Sequence, residues 1–138
     1  MPGNYNQNNQ PRLNSEIINL NSNDIYEETA FKLADRIKKI TNSQMRRIFN
    51  QLKEYKIKLN SGEKWETIYP NLQLSKAHIY YTIKRNNPKK NKDEWNSFEK
   101  IFNQCYSQVK TKEDFMKMAT FFEALYAYYY YLSENTNN

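Results

Sequence analysis

Residues 42 to 59 read Asn-Ser-Gln-Met-Arg-Arg-Ile-Phe-Asn-Gln-Leu-Lys-Glu-Tyr-Lys-Ile-Lys-Leu. Met45, Ile48, Phe49, Leu52, Tyr55 and Leu59 fall at three- and four-residue steps, so one apolar stripe runs down the segment and predicts an amphipathic helix. Thr41 and Gln44 stand at capping-box positions ahead of it, and Ser61-Gly62 breaks it. The same periodicity recurs on both sides. Toward the N-terminus, Asp24 with Glu27 repeats the capping box and opens a helix that runs through Phe31, Ala34 and Ile37 to Ile40. Toward the C-terminus, a short turn holds Trp65 and Ile68, and Pro70 opens a helix to about Arg85. Asn86 to Lys92 form a basic loop. Asp93 caps a helix carrying Trp95, Phe98, Ile101, Phe102, Cys105 and Val109, and a last helix follows Thr111 through Phe115, Met118, Ala119, Phe122, Tyr126 and Tyr129. The chain has only two glycines and no strand-turn-strand alternation. The fold class is therefore all-α, a compact bundle of about five helices.

The ends differ from this body. Residues 1–23 contain eight Asn and two Gln with scattered Pro and Gly, a polar bias that does not offset the entropy of ordering, and they predict a disordered arm. Residues 134–138 predict a disordered tail, which leaves residues 24–133 as one helical domain. The single cysteine, Cys105, lies in an apolar helical pattern, which excludes a disulfide framework and a thiolate metal cage and points to the reducing cytoplasm. The N-terminus lacks an apolar signal core, and no run of about 18 apolar residues exists to span a bilayer, so no membrane partner is expected.

Charge is segregated. Residues 32 to 92 hold sixteen Lys/Arg against four Asp/Glu, a net of +12, while the remainder sums to −6. Basic charge gathered in one stretch is the footprint of a polyanion partner, nucleic acid before anionic membrane. On the helical wheel of residues 42–59, Arg46 and Lys53 share a margin of the apolar stripe, whereas Arg47 and Lys58 fall on the far side. A marginal arginine lays its stem on the core and holds its guanidinium at a fixed height, which suits a row of phosphates; a plain solvated face is the competing explanation. In the helix from Pro70, Leu72, Ile79 and Ile83 form one apolar face and Leu74, Ala77 and Tyr81 another, which predicts packing on two sides. Lys76 falls within the first face, where its ammonium snorkels, pairs with a carboxylate or meets a phosphate. Arg85 shares a side with His78, and Lys84, Lys89, Lys90 and Lys92 sit next to it, a candidate phosphate groove. Glu123, beside the last apolar stripe, is the expected internal partner of Lys76, Arg46 or Arg85.

Catalytic signatures are missing. His78 is the only histidine, and it has no companion ligands for a metal and no nucleophile or orienting group for general-base work. There is no G-x-S-x-G, no phosphate-cradling glycine loop and no paired carboxylate motif, so no enzyme activity, cofactor or metal is expected. The last helix spreads its aromatics beyond one face: Phe121 and Tyr128 lie beside the core stripe and Tyr130 and Tyr131 point elsewhere, which predicts a subunit interface or a stacking surface.

Three blocks in order resemble the small subunit of the type III-A CRISPR effector, the Csm complex. Thr41-Asn-Ser-Gln-Met-Arg-Arg47 is similar to that family's threonine-capped helix start, and Lys76-Ala-His-Ile-Tyr-Tyr-Thr-Ile-Lys-Arg85 to its helix with lysine, central tyrosines and a closing arginine. Phe121-Phe-Glu-Ala-Leu-Tyr-Ala-Tyr128 resembles its F-E-A-L-x-A-Y final helix. The resemblance spans residues 41 to 131 and leaves the N-terminal arm uncovered. It implies a non-catalytic helical protein, present in several copies, stacked along guide (CRISPR) RNA and target RNA with the other subunits of the effector in antiviral defence. By matching block it implies RNA contact at Arg46, Lys76 and Arg85; Arg47, Lys53 and Lys84 are added from the wheel and the charge segregation. A guide must present any sequence, so such a subunit holds backbone and leaves base edges unread. The alternatives are a helical DNA-binding regulator, whose short glycine turn before a recognition helix is missing here, and a helical protein adaptor with an acidic partner.

Overall fold

The computed structural model describes residues 17–86 and 90–133, and among them every regular element is helical. A π-helical turn, Ile25–Thr29, leads directly into α1 (Ala30–Ile37). Then come α2 (Asn42–Asn60), α3 (Trp65–Asn86), α4 (Lys92–Tyr106) and α5 (Lys112–Leu132). The five-helix expectation is met, and α2 starts and stops within a residue of the expected segment, 42 to 59. Helix α5 packs against both α1 and α2, α1 also meets α4, and α3 joins α2 to α4.

The core gathers where these faces converge. Phe49 of α2, Phe98 and Phe102 of α4 and Phe122 of α5 form a ring cluster, with centroids 5.5 Å apart for Phe49–Phe122 and 6.3 Å for Phe98–Phe122. All four are buried. Tilted and edge-on pairs of this kind add to simple area burial by aligning ring edges with ring faces. Between α2 and α3 the core accepts a polar pair: the Tyr55 hydroxyl lies 2.7 Å from the buried Ser75 hydroxyl, so each satisfies the other. Tyr129 is fully buried and donates its hydroxyl to the Ile40 carbonyl beyond α1, and burial pushes its phenol up to about 12.

Local chemistry shifts several expected boundaries. Trp65–Ile68 and the segment from Pro70 are one helix, with Pro70 inside it. A proline there removes one hydrogen bond and crowds the carbonyl four residues back. Ile68 and Leu72, one turn apart and both buried, pin the two halves to the core and outweigh that local cost. The cap of α4 is Asn91, not Asp93: Asn91 sits in the left-handed region at φ 59°, and its amide donates to the Lys39 carbonyl at 2.9 Å. Asparagine tolerates that conformation better than other non-glycine residues. The capping boxes expected at Asp24/Glu27 and Thr41/Gln44 do not close, since neither cap side chain accepts from a backbone N–H of its helix. Asp24 instead accepts from Ser22 Oγ at 2.7 Å. The reciprocal box does close at Thr111 and Asp114, at the start of α5.

The polar arm is shorter than composition suggests. Residues 1–16, like 134–138, lie outside the described residues, but residues 17–23 are seated on the body. Ile18 and Leu20 are buried, the Ile18 N–H donates to Gln104 Oε1 at 2.6 Å, and the Leu20 N–H donates to Gln108 Oε1 at 3.1 Å. Gln108 returns a bond to the Ile18 carbonyl at 2.7 Å. Gln104 near the end of α4 and Gln108 in the turn that follows it thus satisfy the backbone of a segment with no helix of its own.

Candidate nucleic-acid interface

Helix α2 buries Met45, Ile48, Leu52, Tyr55 and Leu59, so its remaining face is presented to solvent as a ridge. On the α3 side of that ridge lies a polar groove of about 380 Å³ lined by Gln44, Arg47, Tyr81, Thr82 and Arg85. It continues along both helices past Asn50 and Gln51 on α2 and His78 on α3, sharing Arg47 and Thr82 with the first part. Arg47 is exposed and has no internal partner among the described residues. Among the described residues Arg85 donates to the Tyr81 hydroxyl alone, at 3.3 Å. Glu54 at the far end is drawn toward Lys58, 3.5 Å away. Two guanidiniums therefore face one groove without a carboxylate between them, and hydroxyl, amide and imidazole groups stand at helical spacing around them. Such a row of donors matches the oxygens of a phosphate backbone.

Arg46 and Lys53 occupy the other flank of the ridge, toward α5. Lys53 is exposed at the edge of a second, more apolar groove, and Arg46 lies close enough to Tyr126 to oppose the upward shift that burial imposes on that phenol. The wheel separates Arg46 and Lys53 from Arg47, and Arg47, though exposed, lines the α2–α3 groove with Arg85. Lys84 is exposed and outside that groove.

Lys76 stands apart from the other cations. Its ammonium lies 4.4 Å from the Tyr106 ring centroid and 5.5 Å from that of Tyr80, on the α4 side of α3. The aromatic faces replace the carboxylate or phosphate expected for it, a cation–π arrangement that stabilises a half-buried ammonium. Glu123 is likewise spoken for by a residue not considered: Lys56 approaches it to 2.9 Å and also donates to Thr120 at 3.0 Å.

The aromatic positions of α5 divide. Phe121 is 0% exposed and belongs to the core, so it is not an interface residue in this fold. Tyr128 is half-buried, edge-on to Phe31 at 5.4 Å. Tyr130 and Tyr131 are exposed, Tyr131 at 79%. On α3 the expected second packed face is open, with Leu74 57% and Tyr81 63% exposed. No helix covers it because α2 and α4 occupy only the sides that bury Ile79, Ile83 and Leu72.

Gln44, Asn50, Tyr81 and Thr82 were missed as site residues. Each lies three or four positions from Arg47 or Arg85, so helical spacing around those arginines was the available signal. Among the described residues no three His, Cys, Asp or Glu side chains gather as a metal site, and no helix is long and apolar enough to cross a membrane. Burial holds the Cys105 thiol well above its ordinary range, which keeps it protonated. Neither a curated protein nor a solved structure matches the chain. A family model does, described as Csm2 Type III-A, over residues 20–135.

Proposed function

The chain belongs to the Csm2 Type III-A family, the small subunits of the type III-A Csm complex, and from that premise we propose that it grips RNA backbone through the α2–α3 groove without catalysing a reaction. The observation that carries this reading is the pairing of Arg47 and Arg85 across one polar groove, neither guanidinium held by a carboxylate among the described residues. Guanidiniums spend their charge on internal carboxylates when their role is structural; left open beside hydroxyl and amide donors, they suit phosphate. Guide and target RNA are the proposed ligands. Arg46 and Lys53 extend the cationic surface over the ridge, and Lys84 adds field rather than a groove contact. Lys76 contributes indirectly, by fixing α3 against α4.

Partner packing belongs to the exposed aromatics. Tyr130 and Tyr131 at the end of α5, with the half-buried Tyr128 beside them, supply rigid amphipathic area that fits a protein interface with neighbouring subunits or a further copy of this chain. A cytoplasmic site of action follows from the RNA partners.

Purification of the tagged protein from its host, followed by sequencing of associated RNA and identification of copurifying proteins, tests this function. Short RNAs sharing a repeat-derived segment, recovered with larger subunits, would support it. Recovery of the chain alone and free of RNA at low salt would refute it.

A further inference from the structure

The second groove, between α2 and α5, differs in kind from the first. It holds about 270 Å³, its floor is formed by Phe49 and Phe122, and the Tyr126 ring stands 5.0 Å from Phe49. Because both phenylalanines are anchored in the core, the floor exists before any ligand arrives. One wall is Ala127, a small exposed residue that leaves the slot open. Around the mouth stand Lys53 and Asn50, neither with an internal partner among the described residues, and Glu123, whose charge is met by Lys56 at 2.9 Å. Arg46, exposed on α2 one turn before Asn50, places its positive charge within electrostatic reach of Tyr126.

An apolar aromatic slot with the uncommitted ammonium of Lys53 at its mouth fits few ligands. An apolar protein surface would have to bury Lys53 unpaired, which is costly. A grooved helix partner would need anchors over several turns, and the slot is short. A flat aromatic ring carrying a phosphate on each side meets both requirements. We propose that the α2–α5 groove receives one unstacked nucleobase of single-stranded RNA, with Lys53 and Arg46 taking the flanking phosphates and the Asn50 amide meeting the base or sugar edge. The inference rests on the RNA-binding function above and adds to it. Asn50 lines both grooves, so a strand crossing the α2 ridge at that residue would lie with its backbone in one groove and a base in the other. Such stacking is sequence-tolerant, since every base offers a π-face.

Ala127→Phe tests the slot, because it fills the opening without removing a cation or entering the core. Binding of the full-length protein is compared for a ten-nucleotide oligouridylate and a reduced-abasic strand of equal length and charge, with circular dichroism melts confirming that the variant folds. The wild type should prefer the base-bearing strand by roughly fivefold or more, the factor that the lower end of base–aromatic stacking amounts to. The variant should lose that preference and keep the wild type's affinity for the abasic strand. Equal binding of both strands by the wild type, or a preference untouched by Ala127→Phe, overturns the inference while leaving backbone binding in place. A base preference with a variant that fails to fold is resolved by Ala127→Leu, which must lower the preference. Binding to neither strand at low salt overturns the inference together with the RNA-binding function.

Discussion

Replacing Phe121 by alanine removes a side chain with no exposed surface whose ring stands 5.4 Å, edge to face, from Phe122. The lost transfer energy and the cavity left among α5's neighbours together cost about 3–5 kcal/mol. For a folded region of this size that is a large part of the usual 5–15 kcal/mol of total stability. It should lower the melting temperature by roughly 10–25 °C, taking about 3–5 °C per kcal/mol for a domain between the small and medium classes. Tyr131→Ala is the matched control, because a side chain 79% exposed should change stability by less than about 0.5 kcal/mol. Thermal melts by circular dichroism, with urea titrations to confirm equal m-values, read both. Tyr131→Ala should instead weaken incorporation into the assembled complex, measured by pull-down with the other subunits. A Phe121→Ala protein that melts within about 2 °C of wild type would refute the placement of this residue in the core and return it to the surface.

Asp114 accepts from the Lys110 N–H at 2.9 Å and the Thr111 N–H at 3.1 Å, which holds its carboxyl below the ordinary value. Its contribution is therefore complete at neutral pH and lost as pH falls below the ordinary value and through the lowered one. Asp114→Ala should cost about 1 kcal/mol at pH 7, and the difference from wild type should shrink in melts taken at increasingly acidic pH; a difference that grows in acid would contradict the capping geometry. Gln104→Ala with Gln108→Ala should release residues 17–23 from α4. Hydrogen exchange at the Ile18 and Leu20 amides should accelerate at least tenfold, a loss of about 1.4 kcal/mol of protection, and unchanged exchange would mean another contact holds the segment. Because the Lys76 ammonium rests on Tyr106, Lys76→Gln should lower RNA affinity less than Arg47→Gln does; filter binding with a larger Lys76 effect would return that lysine to the interface.

Much of the architecture was legible because helices with a one-sided core write their period into the chain. Residues 42–59 carry their stripe without interruption, and α2 follows it. What escaped depended on partners distant along the chain. Pro70 resembles a helix opener, and only the joint burial of Ile68 and Leu72 shows that the helix passes through it. Asn91 caps α4 in a left-handed conformation supported by the Lys39 carbonyl, a contact no local pattern encodes. The functional surface shows the same division. A wheel for one helix grouped Arg46 with Lys53, yet it could not show that α3 lies alongside and brings Arg85 to the same groove as Arg47. The local pattern around Lys76 suggests snorkelling, a carboxylate or a phosphate, whereas the ring of Tyr106, thirty residues on, is what receives it. Phe121 and Tyr131 stand in one aromatic run, and only the placement of α1, α2 and α4 around α5 separates core from surface.

In the proposed function Arg47 and Arg85 hold RNA phosphates together. The salt dependence of single-stranded RNA binding, measured for wild type and for Arg47→Gln/Arg85→Gln, tests it most directly. The slope of log affinity against log salt should become shallower by about 1.4 in the double variant, two phosphate contacts at about 0.7 each. An unchanged slope would place the phosphates elsewhere and contradict the α2–α3 groove as the site of backbone grip.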